Sequence, residues 1–382
     1  MPEHKPHILI LIDWYLPGYR AGGPIQSTSN LVTALGDAFR FSVITLDTDH
    51  ASDAPYPDVE SDAWNTRPEG TAVYYFSRSN LTYARLLALI RAAQPDFVYL
   101  NSMYSLPFTI WPWLMARRRQ LPGRLVLAPR GMLQAGAVQL KWLKKRIFLA
   151  LMRLSGVQRR IVWQATDAQE AADIARFFGT GLDIRLSPNI PRQQQAPWTP
   201  AAKQPGAARF VFTSRVSRKK NVEYFLRLLH RVRGEVVFDI YGPQEDPAYL
   251  ALLRQEIAAL PPQATARLMG DVPAPELPDV LVQYHFAVLT THGENFGHAI
   301  FEGLLAGRPV LISDRTPWRG LADRQLGWDL PLEDNDAFVA AVQTATDMDQ
   351  ATWEQWSRAA WAYAGSYRIA PELREAAMRL FS

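Results

Sequence analysis

The chain consists of two successive rounds of one alternation: a short, almost wholly apolar segment followed by a longer stretch with helical periodicity. HILILID (7–13), FSVITL (41–46), AVYYF (72–76), FVYL (97–100), LVLAP (125–129) and IVWQA (161–165) make up the first round. RFVFT (209–213), VVFDIYG (236–242), ARLMG (266–270), FAVLTT (286–291) and PVLIS (309–313) make up the second. A strand with one wet face alternates apolar and polar residues. Strands that are apolar on both faces need helices on both sides, which is the situation of a parallel sheet. SNLVTALGDAF, DAQEAADIARFF and NVEYFLRLLHRV supply helical stretches between the strands. The expected class is therefore α/β, with two doubly wound, Rossmann-like domains facing each other across a cleft.

At 382 residues the chain is long enough for two such cores. PNIPRQQQAPWTPAAKQPGA is rich in Pro, Gln and Ala and lacks periodicity, which makes residues 188–207 the expected linker. The expected division is a first domain over 1–187, the linker, a second domain over 208–365, and a C-terminal helix over 366–382 packing back on the first. Cysteine is absent, which excludes disulfides and thiolate metal sites and suits a reducing compartment. The N-terminal MPEHKPHILILIDWY has acids and only a short apolar run, and reads as a first strand, not a secretory signal. Residues 97–116 carry no charge, but they contain Asn101, two serines and two prolines. A strand, a loop and a helix start fit them better than a membrane span. Neither half has GxGxxG after its first strand, which argues against a nicotinamide or flavin enzyme.

The net charge of +4 is unevenly spread. From Phe97 to Thr166 there are twelve Lys and Arg and no acid, leaving −8 on the rest of the chain. A basic region of this kind suits an anionic partner: a membrane surface, nucleic acid or a phosphorylated substrate.

Three loops could carry chemistry, each at the C-terminal end of a strand, where ligands of doubly wound sheets bind. The first is THGENFGHAIFEGLLAG (291–307). Glu294 lies in its loop part and Glu302 in a helix that begins near Phe296 and Gly297. The first amides of that helix have no intrahelical partner and suit a phosphate or sugar hydroxyl. With Gly297 as the first helical residue, the two acids would lie about 7–9 Å apart along the axis. Carboxylates so placed can each grip one vicinal diol of an extended ligand, although two solvated helix-entry acids would look the same. The second is FVFTSRVSRKKNVEYFL (210–226), where Arg215 offers a fork and Lys220 a point charge to phosphate oxygens. Arg218 and Lys219 read as a solvated basic loop. The third is LPGYRAGGPIQSTSNLV (16–32), where Gly22 and Gly23 let backbone amides approach an anion closely, or simply make a turn.

Taken together, GENFGHAIFEGLLAGRPVLIS, SRVSRKKNV, AGGP and the Pro-Asn at 188–189 resemble the retaining glycosyltransferase family 4 of the GT-B fold, over nearly the whole chain. TPWRGLADRQLGWDLPL (316–332) and LAPRGML (127–133) resemble members that build exopolysaccharide or O-antigen. The resemblance implies an acceptor-side first domain and a nucleotide-sugar-binding second domain. It implies transfer of a hexose-type sugar, with retention, to a saccharide or polyprenyl-linked acceptor. The donor would be a UDP- or GDP-sugar, a substrate and not a cofactor. By the same resemblance Glu302 corresponds to the acid on the ribose diol and Glu294 to the acid on the donor sugar. The amides around Phe296, Gly297 and His298 correspond to sugar and phosphate contacts. Arg215 and Lys220 match the pair that neutralises the diphosphate, so that no metal is needed, and Gly22 and Gly23 meet the phosphates from the other domain. Many relatives carry a histidine after the strand equivalent to LVLAP. Here Arg130 stands in its place, and it can hold an oxygen but cannot act as a general base.

Asp47-Thr48-Asp49 forms a DxD, the metal motif of a different glycosyltransferase fold, and is expected to be coincidental. The seven histidines, His292 and His298 included, form no metal-ligand spacing. In KWLKKRIFLALMRLSGVQRR (141–160), Leu143, Ile147, Leu151 and Leu154 recur at helical spacing, as a core-facing stripe would. Trp142 and Phe148 beside Lys141, Lys144 and Lys145 also suit an interfacial helix on anionic lipid. The expected location is cytoplasmic, peripheral on the inner face of the membrane of a bacterium. Another GT-B activity, such as an epimerase or a synthase, fits the same motifs. A nucleic-acid binder fits the basic region alone, and no RNA- or DNA-binding signature accompanies it.

Overall fold

The computed structural model of the chain describes residues 5–134 and 142–382, with the backbone alone for 142–144. It divides into two compact units: residues 1–190 with 370–382, and residues 191–369.

The first unit is built on an eight-stranded sheet. Its elements are β1 (His7–Leu11), α1 (Gly23–Leu35), β2 (Arg40–Leu46), β3 (Trp64–Thr66), β4 (Ala72–Phe76), α2 (Tyr83–Ala93), β5 (Phe97–Leu100), α3 (Trp111–Arg117) and β6 (Arg124–Leu127). They continue with α4 (Trp142–Leu154), β7 (Val162–Ala165), α5 (Ala168–Phe178) and β8 (Asp183–Leu186). The strand order is β3-β4-β2-β1-β5-β6-β7-β8, and every pairing is parallel except β3 with β4. Each face of the sheet has its own core. Leu9, Leu11, Val98, Leu100, Leu125 and Leu127 project to one side, and Ile8, Ile10, Val43, Tyr99 and Val126 to the other. This two-sided burial is why the strands read as unbroken apolar runs.

The second unit has a six-stranded, wholly parallel sheet in the order β11-β10-β9-β12-β13-β14. Its elements are β9 (Ala207–Thr213), α6 (Val222–Leu228), β10 (Glu235–Tyr241), α7 (Pro247–Ala258), β11 (Ala264–Gly270), α8 (Leu277–Leu281) and β12 (Phe286–Leu289). They continue with α9 (His298–Leu305), β13 (Val310–Ser313), β14 (Gly327–Leu330), α10 (Asn335–Asp347) and α11 (Gln350–Arg368). A last helix, α12 (Pro371–Arg379), belongs to the first unit. There Arg374 pairs with Asp37 at 2.7 Å, and Phe381 packs edge-on to Phe39, Phe97 and Tyr99.

Residues 191–204 have no regular secondary structure, yet they are fastened to the second unit. Trp198 Nε1 donates to Ser357 Oγ at 2.9 Å, and the buried Arg308 donates to Thr199 O at 2.6 Å. The Lys203 ammonium donates to Gln204 O, Thr346 O and Met348 O at 3.0, 2.8 and 2.8 Å. Those last two carbonyls close the C-terminal end of α10, where a cation opposes the helix dipole. Periodicity predicts only periodic structure, so a segment held by side-chain-to-carbonyl bonds has no such signature.

Candidate active site

In each sheet the chain leaves the first strand in one direction and later returns to pair on the other side of it. This puts a topological switch point between β1 and β5 in the first unit and between β9 and β12 in the second. The loops leaving the two strands at such a point diverge and leave a crevice at their C-terminal ends.

In the second unit these loops are 214–221, after β9, and 290–297, after β12. They are sewn together by backbone and hydroxyl bonds. His292 N–H donates to Lys219 O at 2.8 Å, Thr290 Oγ1 to Asn221 O at 2.8 Å, and Thr291 Oγ1 to Lys219 O at 3.1 Å. On this frame Lys220 Nζ meets Glu294 Oε1 at 2.6 Å, and Thr291 Oγ1 donates to the same oxygen at 3.0 Å. The two charged side chains are only 14% and 12% exposed, so the pair is largely removed from water and each charge depends on the other. Two sequence-predicted residues, 74 positions apart, are thus in direct contact. Glu294 is not a freely solvated acid. Its own amide is fixed by Arg315 O at 3.0 Å.

Arg215 stands exposed at the mouth of the β9 loop, with no hydrogen-bond or ion-pair partner among the described residues. Arg218 is not simply solvated: it pairs with Asp246 at 3.8 Å and lies over the Tyr249 ring at 5.4 Å. Gly297 is the N-cap of α9, not its first helical residue, with φ of 80°. A Cβ there would fall 2.7 Å from Ile300 Cδ1, so the left-handed turn and the close approach both call for glycine. The helix opens at His298, whose ring lies 4.8 Å from that of Phe296. Phe296 is buried against Trp318, and Trp318 Nε1 donates to Phe296 O. Phe296 can therefore offer only its backbone to a ligand. Glu302 lies in the next turn of α9, buried among Ile300, Phe301, Leu304 and Leu305. The axial rise from Gly297 to Glu302 is about 7.5 Å.

In the first unit Gly22 caps α1 with φ of 69°, ahead of Pro24 in the first turn. A Cβ on Gly22 would meet nothing within 4 Å, so the constraint is the backbone conformation alone. Gly23 opens the helix, and its amide has no intrahelical acceptor. Of the two DxD acids, one serves this loop and the other the segment that leads into β3. Asp49 accepts from Tyr19 N and Arg20 N at 3.0 and 3.3 Å, and Asp47 accepts from Ser61 Oγ at 2.7 Å.

Arg130 follows β6 with φ of 56°, and its fork is fully engaged within the unit. Nε donates to Asn101 Oδ1 at 2.8 Å, Nη2 to Tyr99 OH at 2.7 Å, and Nη1 to Asn189 Oδ1. It ties the ends of β5 and β6 to the Pro188-Asn189 turn. The next amide, Gly131 N–H, donates to the buried Glu170 at 2.6 Å, and Glu170 also accepts from Thr166 N and Oγ1 at 2.8 Å each. Sequence reasoning missed Asn101, Tyr99 and Glu170 as partners of this loop. No local pattern marks them, because Tyr99 and Asn101 come from the end of β5 and Glu170 from the first turn of α5, far along the chain.

Helix α4 departs from the core-stripe expectation. Among its described residues Leu149 and Met152 are buried, with Phe148 packed on Tyr104 and Lys145 over the Tyr104 ring at 5.0 Å. Ile147, Leu151 and Leu154 are instead 54%, 61% and 82% exposed. Spacings of four and three place them on one face, opposite the buried one. Lys141 lies outside the described residues, as do the side chains of Trp142, Leu143 and Lys144. Among the described residues no helix is long and apolar enough to cross a membrane, and no group of three or more His, Cys, Asp and Glu could hold a metal ion.

The chain is similar in fold to solved structures along almost its whole length. A sucrose-phosphate synthase from Thermosynechococcus elongatus aligns at TM-score 0.66 and 16% identity, covering 99% of each chain. Anabaena Alr3699/HepE in complex with UDP-glucose aligns at TM-score 0.68 and 16% identity, covering 98% of this chain and 99% of that one. WaaG, a glycosyltransferase involved in lipopolysaccharide biosynthesis, aligns at TM-score 0.66 and 13% identity, covering 98% of each. The fold is GT-B. On that GT-B scaffold, residues 207–347 match the model of a family described as Glycosyl transferases group 1. The matched stretch runs from β9 to the end of α10 and contains both loops of the Lys220–Glu294 contact. No curated protein matches the sequence.

Proposed function

We propose that the protein transfers a hexose-type sugar, with retention of configuration, from a UDP- or GDP-sugar to a saccharide or polyprenyl-linked saccharide acceptor. The observation that carries this reading is the Lys220–Glu294 contact at the switch point of the unit that matches the glycosyltransferase family model. A cation and a hydroxyl-gripping carboxylate held together suit the two ends of the bond to be broken. Lys220 and Arg215 are assigned to the diphosphate, whose negative charge grows as the nucleotide departs. Glu294 is assigned to hydroxyls of the donor sugar and Glu302 to the ribose diol. The amides around Phe296, Gly297 and His298 are assigned to the sugar and phosphate, and the Gly22-Gly23 amides to phosphate oxygens. Arg130 is assigned the task of holding Asn101 and Asn189 at the edge of the first sheet. Charge neutralisation falls to protein cations, so the reading calls for no cofactor. HepE has been crystallised with UDP-glucose, and WaaG serves lipopolysaccharide synthesis, which supports a sugar-nucleotide donor and a cell-surface product.

Thermal-shift titration with UDP-, GDP- and ADP-sugars tests this assignment. Stabilisation of at least a few degrees by one base, lost in Glu302→Ala, is expected. No response to any of the three, or an equal response in Glu302→Ala, would remove the nucleotide site. Tight single-stranded RNA binding without nucleotide binding would favour a nucleic-acid function instead.

The exposed Ile147, Leu151 and Leu154, carried on a helix with Lys145, Arg146 and Arg153, support an anionic membrane surface as a further partner. Such docking would bring a cytoplasmic enzyme to an acceptor anchored in lipid. Flotation with anionic liposomes, and loss of flotation when all three residues become serine, are expected. Equal partition onto neutral and anionic liposomes would exclude this surface.

A further inference from the structure

The switch point of the first unit carries an arrangement that neither the motifs nor the family match addresses. Asp13 leaves the end of β1, and Ser105 lies in the loop that leaves β5, on the opposite side of the divide. Ser105 Oγ donates to Asp13 Oδ1 at 2.6 Å. The backbone of Asp13 is held from the β2 side, its carbonyl accepting from Thr45 Oγ1 at 3.2 Å and from Leu46 N at 3.3 Å. One carboxylate oxygen is thereby fixed by Ser105, and the carboxyl also engages the Asp13 backbone amide. Burial raises the Asp13 carboxyl above its ordinary range, and the Ser105 bond offsets this only in part.

Two further polar groups, in the loops that follow β1 and β2, have no partner among the described residues. Trp14 Nε1, on the next residue, is buried and has no acceptor among the described residues. Thr48 is buried as a whole side chain, and its Oγ1 is unpartnered as well. The two loops touch, since the Trp14 ring sits edge-on to His50 at 4.6 Å. A buried donor or hydroxyl without a partner is rare in a folded protein, so these two groups call for an oxygen-bearing ligand or solvent. The other acids near this edge are already engaged: Asp47 with Ser61, and Asp49 with the amides of Tyr19, Arg20 and His50.

The geometry points to Asp13 as the group of the first unit that receives a hydrogen bond from a hydroxyl of the saccharide acceptor. This assignment rests on the glycosyl-transfer reading above. A sugar ring offers both donors and acceptors along its edge. It can give a hydroxyl proton to the Asp13 carboxylate at the end of β1. Asp13 is thus a specificity-determining residue, separate from the groups assigned to the donor.

The test measures UDP release from UDP-glucose and GDP release from GDP-mannose by the full chain, with octyl glucoside, galactoside and mannoside as acceptor probes. Thermal shift with UDP and GDP is recorded in parallel. In Asp13→Asn the KM for the glycoside is expected to rise at least tenfold. Slow acceptor-independent hydrolysis and the nucleotide-induced shift should stay at wild-type levels. Ser105→Ala, which frees the carboxylate without removing it, should raise KM by a smaller factor. An unchanged glycoside KM in Asp13→Asn would overturn the assignment, as would a parallel fall in hydrolysis and transfer. Nucleotide stabilisation without glycoside-stimulated release by the wild type would also overturn it, while leaving the donor reading intact. Absence of any nucleotide stabilisation would instead defeat the transferase reading, and this inference with it.

Discussion

The two units solve the same topological problem with different chemistry. At the second switch point an acid from one loop is held by a cation from the other, Glu294 by Lys220 at 2.6 Å. At the first, an acid is held by a neutral hydroxyl, Asp13 by Ser105 at 2.6 Å. A charged pair taken largely out of water is a site prepared for ionic change, because an incoming diphosphate can take over the lysine. A carboxyl with only a neutral hydroxyl as side-chain partner suits a neutral, hydroxyl-bearing ligand. Equivalent switch points in the two sheets thus hold an ion pair in one unit and an acid–hydroxyl pair in the other.

The strongest way to break this contrast is to remove the cation. Lys220→Met should lower transfer by about 100-fold or more, the scale of losing one preorganised charge on a leaving group. It should also destabilise the chain by about 2–3 kcal/mol, since Glu294 is left partly buried without its partner. Steady-state kinetics and denaturant melts would show both effects. A variant with near wild-type turnover would exclude Lys220 from the chemistry.

Arg130→Ala probes the other unit. Turnover should fall strongly, and stability by about 2–3 kcal/mol, because the Asn101, Asn189 and Tyr99 acceptors lose a charged donor together. Arg130→Lys should recover little, because a point charge cannot span three acceptors as a fork does. Wild-type activity in Arg130→Ala would discard the assignment.

Acid pH strains both units in the same direction. His285 is buried, accepts from Arg209 N–H at Nδ1 and donates from Nε2 to Ala202 O, at 2.9 Å each. Burial, above all, pushes it down to about 4 from the ordinary 6.5. The unfolded chain therefore binds more protons between those values, and stability falls as pH drops from about 6.5 to about 4, by about 3 kcal/mol in total. In the first unit His7 is also lowered, chiefly by burial, so it acts in the same direction. Melts of His285→Asn against pH should show a shallower acid slope than the wild type, and an unchanged slope would rule His285 out. The smallest expected effect is none: with charge neutralisation assigned to Lys220 and Arg215, EDTA should leave transfer unchanged. A chelator-sensitive rate would break that part of the proposal.

Much of this architecture was legible because burial on both faces of a parallel strand leaves a local trace. FVYL at 97–100 is a strand end to end, and the stretch DAQEAADIARFF is a helix from Ala168 to Phe178, with Asp167 as its cap accepting from Glu170 N–H. The strands that escaped notice, Trp64–Thr66, Asp183–Leu186 and Gly327–Leu330, are short and polar-rich, and lie at sheet edges where one neighbour is missing. Helix α4 shows the opposite limit. Its apolar spacing was visible, but two faces of that helix are apolar, and periodicity alone does not say which one faces the core.

The sequence by itself determined two rounds of βα alternation and the loops that end on Lys220, Glu294 and Gly22, because strand burial and turn chemistry are written locally. Only the tertiary structure decided which strands became neighbours. Inserting β9 beside β12 brought Lys220 to Glu294, and inserting β1 beside β5 brought Ser105 to Asp13 across 92 positions. Strand order depends on packing among all the helices and strands of a unit at once. The crevice and its chemistry exist only after that packing is complete.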